Sequence, residues 1–166
     1  MPAERFFAPL PHTSLTGEEC RHLIRVMRAR VGDTIELIDG KGTLTTAEIT
    51  AIDKERCLLR PLKQHHFPPT LPPLILAQAL PRQNRLDTIV EKGTELGMST
   101  LWLFPGDRSE KKGVSLERLT AITIAATKQC GRLHLPTIAL MPPLTEWENL
   151  PTPTYYGTLA PNAPSL

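Results

Sequence analysis

The 166-residue sequence lacks most of what would assign it to a membrane, to secretion or to a metal-dependent class. No apolar run approaches the roughly 20 residues of a membrane helix. The N-terminus, MPAERFF, has no apolar core of a secretory signal. Cysteine is scarce: Cys20, Cys57 and Cys130 stand far apart, which argues against a disulfide scaffold or a zinc ribbon and fits a reducing cytoplasm. His65 and His66 are adjacent and lack the usual metal-ligand spacing, so no metal is expected. An excess of one charge is missing too, because 19 Lys and Arg against 17 Asp and Glu leave a net +2. A nucleic-acid partner must therefore be met by local patches. There is no GxGxxG after a strand and no GxxxxGK[ST], which leaves a nucleotide phosphate loop unsupported. No GxSxG or Cys-His pattern offers a covalent nucleophile.

Proline, by contrast, is plentiful: 17 of 166 residues, about twice the usual share of roughly 5%. Most prolines fall between periodic segments. The densest stretch, Gln64 to Pro73 (QHHFPPTLPP), has four prolines in ten residues and predicts a semi-rigid linker. It divides the chain into residues 1–70 and 71–166. In the first part Thr34 to Ile38 alternates, Asp39-Gly40 is a hairpin signal, and Thr43 to Ile52 and Cys57 to Leu62 read as further strands. One helix is predicted over Gly17 to Arg28, with Thr16 as N-cap and Glu18 and Glu19 in its first turn. The expectation is a small β-barrel carrying one helix.

In the second part strands and helices alternate. Leu74 to Leu80 is an apolar run of strand length, closed by Pro81. Leu86, Ile89, Val90, Gly93 and Leu96 then recur at helical spacing, with Gly97 where a C-cap glycine belongs. Leu101 to Phe104 is the next strand. Ser115 caps a helix with Leu116, Leu119, Ile122 and Ala126 on one face, ending near Gly131. A strand over Thr137 to Met141, a short helix over Thr145 to Leu150 and a last strand over Thr154 to Leu159 complete a βαβαβαβ order. That order predicts an α/β unit with a parallel sheet covered by helices. Trp102 and Trp147 are expected to fill the core or cover an edge.

The residues that carry chemistry are polar and sit at element ends. Arg21, Arg25 and Arg28 fall at i, i+4 and i+7, one face of a helix, with Arg5 and Arg30 nearby. A row of guanidinium groups suits phosphate contact and base stacking. It also describes an ordinary solvated face on which Glu18 pairs with Arg21 and His22. In the second part Lys92, Glu95, Arg108, Ser109, Gln129 and Arg132 are the candidates. Arg108 and Ser109 follow a strand, where α/β sheets place their functional loops, and Arg108 and Arg132 suit a phosphate or ribose. Lys92 and Glu95, at i, i+3, equally well form a surface pair.

These residues resemble the RsmE family of ribosomal RNA methyltransferases, of the SPOUT superfamily. The resemblance lies in Arg5-Phe6-Phe7; His22 through Arg28; Asp39-Gly40 with Ala47-Glu48-Ile49; Leu76 through Leu80; Lys92-Gly93-Thr94-Glu95-Leu96-Gly97; Arg108-Ser109; and Ala125-Ala126 through Gln129-Cys130-Gly131-Arg132, in the family's order. It implies a PUA-like barrel that helps hold RNA, followed by a SPOUT-type α/β knot domain. It implies methylation of N3 of a uridine in small-subunit (16S) ribosomal RNA, on the RNA or the 30S particle, with S-adenosylmethionine as donor and a homodimer as the active form. Carried over residue by residue, Arg5, Arg25, Arg28, Lys92 and Gln129 are RNA contacts. Glu95, Arg108 and Arg132 are catalytic candidates, and Leu159, Ala160 and Pro161 edge the donor pocket. No metal is implied. The family's Gly-Pro-Glu-Gly-Gly loop and its Leu-Gly-x-Arg-Ile-Leu-Arg-x-Glu-Thr-Ala segment do not appear here. This implies that the present form lacks the knot and most of the donor site and does not turn over. The alternative is a non-catalytic RNA-binding or ribosome-assembly module.

Overall fold

The structure is a computed structural model that describes residues 5–69, 72–107, 109 and 113–157. It contains two sheets. The first unit comprises β1 (Arg5–Phe7), β2 (Ser14–Thr16), α1 (Gly17–Arg25), β3 (Thr34–Ile38), β4 (Thr43–Ile52) and β5 (Arg56–His66). Its strands lie in the order β1-β3-β4-β5-β2, a curled half-barrel, with β1 parallel to β3 and the other pairings antiparallel. Alternation along β4 (BiBiBiB from Thr43) turns Ala47 and Ile49 inward, as a half-buried strand requires. The core closes with Phe6, Leu15, Leu23, Leu37 and Leu59, all from different elements. His12 is buried with its ring between the Thr45 hydroxyl (2.7 Å) and the Ala8 carbonyl (2.9 Å). Both ring nitrogens are thus satisfied, which a buried imidazole needs.

The second unit comprises β6 (Ile75–Ala79), α2 (Gln83–Leu96), β7 (Thr100–Phe104), α3 (Leu116–Cys130), β8 (Thr137–Leu140) and a single 3-10 turn at Leu144–Glu146. Its strands run in the order β6-β7-β8, all parallel. Leu101 and Leu103 of β7 face α2 and α3, packing with Leu86, Val90 and Leu119. Trp102 and Phe104 point to the opposite face, where the Trp147 ring meets both edge-on at 5.5 and 5.3 Å. Gly97 and Gly131 end the two helices in the left-handed conformation, and Ser115 Oγ accepts from the Arg118 amide. Among the described residues no helix is long and apolar enough to cross a membrane.

Several expectations need correction. The helix expected to reach Arg28 stops at Arg25, and Arg28 has φ +52, outside helical space for a non-glycine residue. Gln64, His65 and His66 belong to β5, paired with Thr45, Leu44 and Thr43. The chain between the two units is therefore shorter than its proline density implies. Leu116 is exposed, and α3 instead buries Leu119, Thr123, Ala126 and Thr127. The helix expected at Thr145 to Leu150 is only the 3-10 turn, and Thr154–Gly157 form no strand. The rest of that expected strand lies outside the described residues, so the parallel sheet has three strands among them. Cys20 and Cys57, distant in sequence, stand with Sγ atoms 3.1 Å apart in the first core as free thiols.

Candidate functional site

The first unit presents a broad open groove between α1 and the β4–β5 turn. Arg21 and Arg25, one helical turn apart and both exposed, line one wall, and Lys54 and Arg56 line the other. Asp53 and Glu55 share that turn, so four cations face two carboxylates. Ile24 and Ile52 floor the groove. Beyond the helix, Val26 and Val31 are mostly exposed and Met27 partly so. They alternate with the exposed Arg25, Arg28 and Arg30. Lys54 and Arg56 escaped sequence reasoning because they sit in the mixed-charge run DKER, which reads as a neutral turn.

Arg5, expected to contact RNA, is already engaged. Its Nε donates to Glu36 Oε2 at 3.0 Å and its Nη1 donates to the Gly131 carbonyl at the end of α3. No local pattern signals this tie, because its partners are 126 residues apart.

In the second unit the candidates divide between opposite edges of the sheet. A crossover helix runs back along its sheet, so α2 and α3 end beside the starts of β7 and β8. Lys92, Glu95, Gln129 and Arg132 all belong to that edge. Lys92 Nζ donates to both Glu95 oxygens (3.0 and 3.1 Å) and to Glu91 (2.8 Å). Glu91 and then Glu95 hold the Lys92 ammonium above its ordinary pKa, which keeps the cation charged. Arg132 lies over the bare backbone of Gly97: a Cβ there would stand 2.8 Å from its Nη1. The guanidinium therefore caps the negative end of α2. Its Nε is buried with no hydrogen-bond partner. Gln129 is exposed on the last turn of α3.

Ser109 marks the other edge, where the strands end. Its hydroxyl donates to the Leu80 carbonyl (2.8 Å) and accepts from the Gly106 amide (2.9 Å), pinning the loop after β7 to the end of β6. Five-residue strands at about 3.3 Å per residue put the two edges roughly 16 Å apart. Arg108, Leu159, Ala160 and Pro161 lie outside the described residues. Beside Ser109's loop a cavity of ≈ 90 Å³ is lined by Leu80, Pro81, Leu86, Val114, Arg118 and Leu119 among others. Pockets for drug-sized ligands run to about 300–1,000 Å³, so this cavity is too small for such a ligand. No group of three or more His, Cys, Asp or Glu among them could hold a metal ion.

Comparisons with known proteins cover both units. An RNA methyltransferase PUA domain matches residues 15–62, and an RNA methyltransferase domain matches residues 69–161. A ribosomal RNA small subunit methyltransferase E of Bacillus subtilis is 30% identical over 135 residues, covering 77% of this chain and 53% of that protein. One from Rickettsia conorii is 32% identical over 125 residues, covering 75% and 51%. The chain thus spans about half the length of the curated relatives it matches. Among solved structures, a probable rRNA-methyltransferase from Porphyromonas gingivalis superposes with a TM-score of 0.79 at 29% identity, covering 86% of this chain and 61% of that one. A ribosomal RNA small subunit methyltransferase E from Neisseria gonorrhoeae, bound to S-adenosyl methionine, gives 0.71 at 26% identity, covering 84% and 62%.

Proposed function

This chain belongs to the RsmE family of ribosomal RNA methyltransferases, and on that premise we propose that it forms the RNA-holding and acceptor-side part of an enzyme that methylates N3 of a uridine in 16S ribosomal RNA. The observation that carries the reading is the groove of Arg21, Arg25, Lys54 and Arg56 on the unit that precedes the methyltransferase domain. Guanidinium and ammonium groups along an open groove suit a phosphate backbone. Arg25 and Arg28 are the leading RNA contacts, with Lys92 and Gln129 nearer the acceptor. The boundary between the units falls between residues 70 and 71. The methyl donor is S-adenosylmethionine, and the compartment is the cytoplasm, where ribosomal RNA resides.

Uridine N3 carries a proton at neutral pH, so methylation needs that proton removed and the resulting negative charge stabilised. Arg132, whose Nε is buried with no hydrogen-bond partner, would supply positive charge. Glu95 accepts two bonds from Lys92 and so suits orientation of that cation better than proton abstraction. Arg108, next to Ser109 in sequence, is a catalytic candidate on the family resemblance alone. The active form would be the homodimer that the family resemblance implies.

The test is incubation of unmodified 16S ribosomal RNA and S-adenosylmethionine with the protein that carries this chain, followed by mass spectrometry of the nucleosides. N3-methyluridine is the expected product. Its absence under conditions where the donor binds overturns the proposal. A second reading, a non-catalytic RNA-binding or assembly module, draws on the small cavity beside Ser109's loop. It concerns these 166 residues alone: calorimetry should find no donor binding to them, and tight binding rules that reading out.

A further inference from the structure

The strip from Lys128 to Leu135 is where the first unit grips the second. Lys128 Nζ donates to both oxygens of Glu19 at 2.8 and 2.9 Å and stands 5.7 Å from the centroid of the Phe6 ring. The Gly131 carbonyl accepts from Arg5 Nη1. The Gly42 amide donates to the Leu133 carbonyl and the Leu135 amide to the Gly40 carbonyl, both at 2.9 Å. The β3–β4 turn comes this close only because residues 40 and 42 are glycine. Both have positive φ, and a Cβ on Gly40 would lie 2.6 Å from Leu135 Cδ1. Arg132, on the same strip, is one residue from the carbonyl that Arg5 holds.

We propose that Arg5 is a positioning residue, which fixes the end of α3 against the first sheet and thereby sets the Arg132 guanidinium over Gly97. The inference rests on the reading of Arg132 as an acceptor-side group. Three observations support it against a direct phosphate contact. Arg5 commits its Nε to Glu36 and its Nη1 to Gly131, in two directions at once. Its side chain is only 21% exposed, whereas Arg25 and Arg28 are open to solvent. A planar guanidinium can hold two such acceptors in fixed directions, whereas a lysine ammonium is a point charge on a flexible stem. Its charge also stands at the carbonyl end of α3, where a cation is favoured. A lateral slip of the strip would carry Arg132 with it, and a misplacement of about 1 Å can cost 10²-fold in rate.

Arg5→Ala, Arg5→Lys and Glu36→Gln test this by two readouts. Hydrogen exchange on the 166-residue chain should show the Gly42 and Leu135 amides exchanging at least ~10-fold faster in Arg5→Ala, while core amides such as that of Leu37 keep their protection. Methyl transfer by the protein that carries this chain should lose about 10- to 100-fold in kcat, with RNA affinity and its salt dependence unchanged. Arg5→Lys should restore only part of the rate, and Glu36→Gln should fall between wild type and Arg5→Ala. If Arg5→Ala fails to fold, the Glu36→Gln exchange pattern decides. Unchanged exchange with unchanged kcat overturns the proposal. So does weaker RNA binding with a shallower salt slope and full kcat, which makes Arg5 a phosphate contact. If the wild-type protein transfers no methyl group, the methyltransferase reading fails by itself, and the exchange result alone judges the tie.

Discussion

The two units bury their apolar residues in different ways. In the first, a curled five-stranded sheet closes over its own core, and Phe6, Leu15, Leu23, Leu37 and Ile49 are nearly solvent-free. In the second, a three-stranded sheet packs both helices on one face through Leu101 and Leu103, and on its other face Trp147 meets Trp102 and Phe104 edge-on. A closed core makes a rigid platform for the arginine groove. A sheet with one fully packed face leaves its edges free to carry polar groups, and Lys92, Glu95 and Arg132 at one edge and Ser109 at the other use that freedom.

Leu37→Ala offers the strongest challenge to this contrast. A fully buried leucine in a core that cannot collapse should cost about 2–5 kcal/mol, read by denaturant unfolding of the first unit. Leu101→Ala should cost a similar amount in the second, because the packed face there is as dry as the first core. A much smaller loss at Leu37 than at Leu101 would contradict a first core that is closed on all sides.

An alkaline response should distinguish the units next. Burial, followed by the hydrogen bond with Cys20, pushes the Cys57 thiol up from 9.0 to about 12. A thiol whose folded pKa is raised stabilises the fold fully below the unfolded value and loses that contribution as pH rises through the folded one. Stability of the first unit should therefore fall between about pH 9 and pH 12, and Cys57→Ala should flatten that slope. A slope unchanged by the substitution would assign the alkaline loss to another group.

The smallest of these effects belongs to the thinly covered face. Trp147→Ala should cost about 0.5–1.5 kcal/mol beyond the area it buries, the range for edge-on aromatic pairs. It also exposes Trp102, the other tryptophan in the chain, so the remaining emission should shift to the red. Unchanged emission would mean that Trp147 does not cover Trp102 in solution.

Local signals in the sequence survive folding well. Gly97 and Gly131 stop their helices, Ser115 starts one, and the alternation at Thr34 to Ile38 and the strand run Thr43 to Ile52 mark β3 and β4 at their observed bounds. These depend on residues within a turn or a strand of one another. What sequence does not disclose depends on distant partners. β1 and β2 are three residues each, too short for a period, and exist because β3 and β5 offer them free edges. Gln64 to His66 have the composition of a linker but pair with the long β4. Arg28 has helical spacing, yet the helix ends three residues earlier. Arg5 has the composition of an RNA contact, and only the fold brings Gly131 to it. The polar candidates of the second unit are visible as residues, but not their division between the two edges of the sheet.

The central claim is that the first unit grips RNA through its arginines while the second presents the acceptor site. Binding of a 16S ribosomal RNA segment to this chain, followed against salt for wild type and for Arg25→Ala with Arg28→Ala, tests it most directly. The predicted result is weaker binding, with a log–log salt slope shallower by about 1 for each phosphate that the protein no longer neutralises. An unchanged slope with unchanged affinity would contradict the claim.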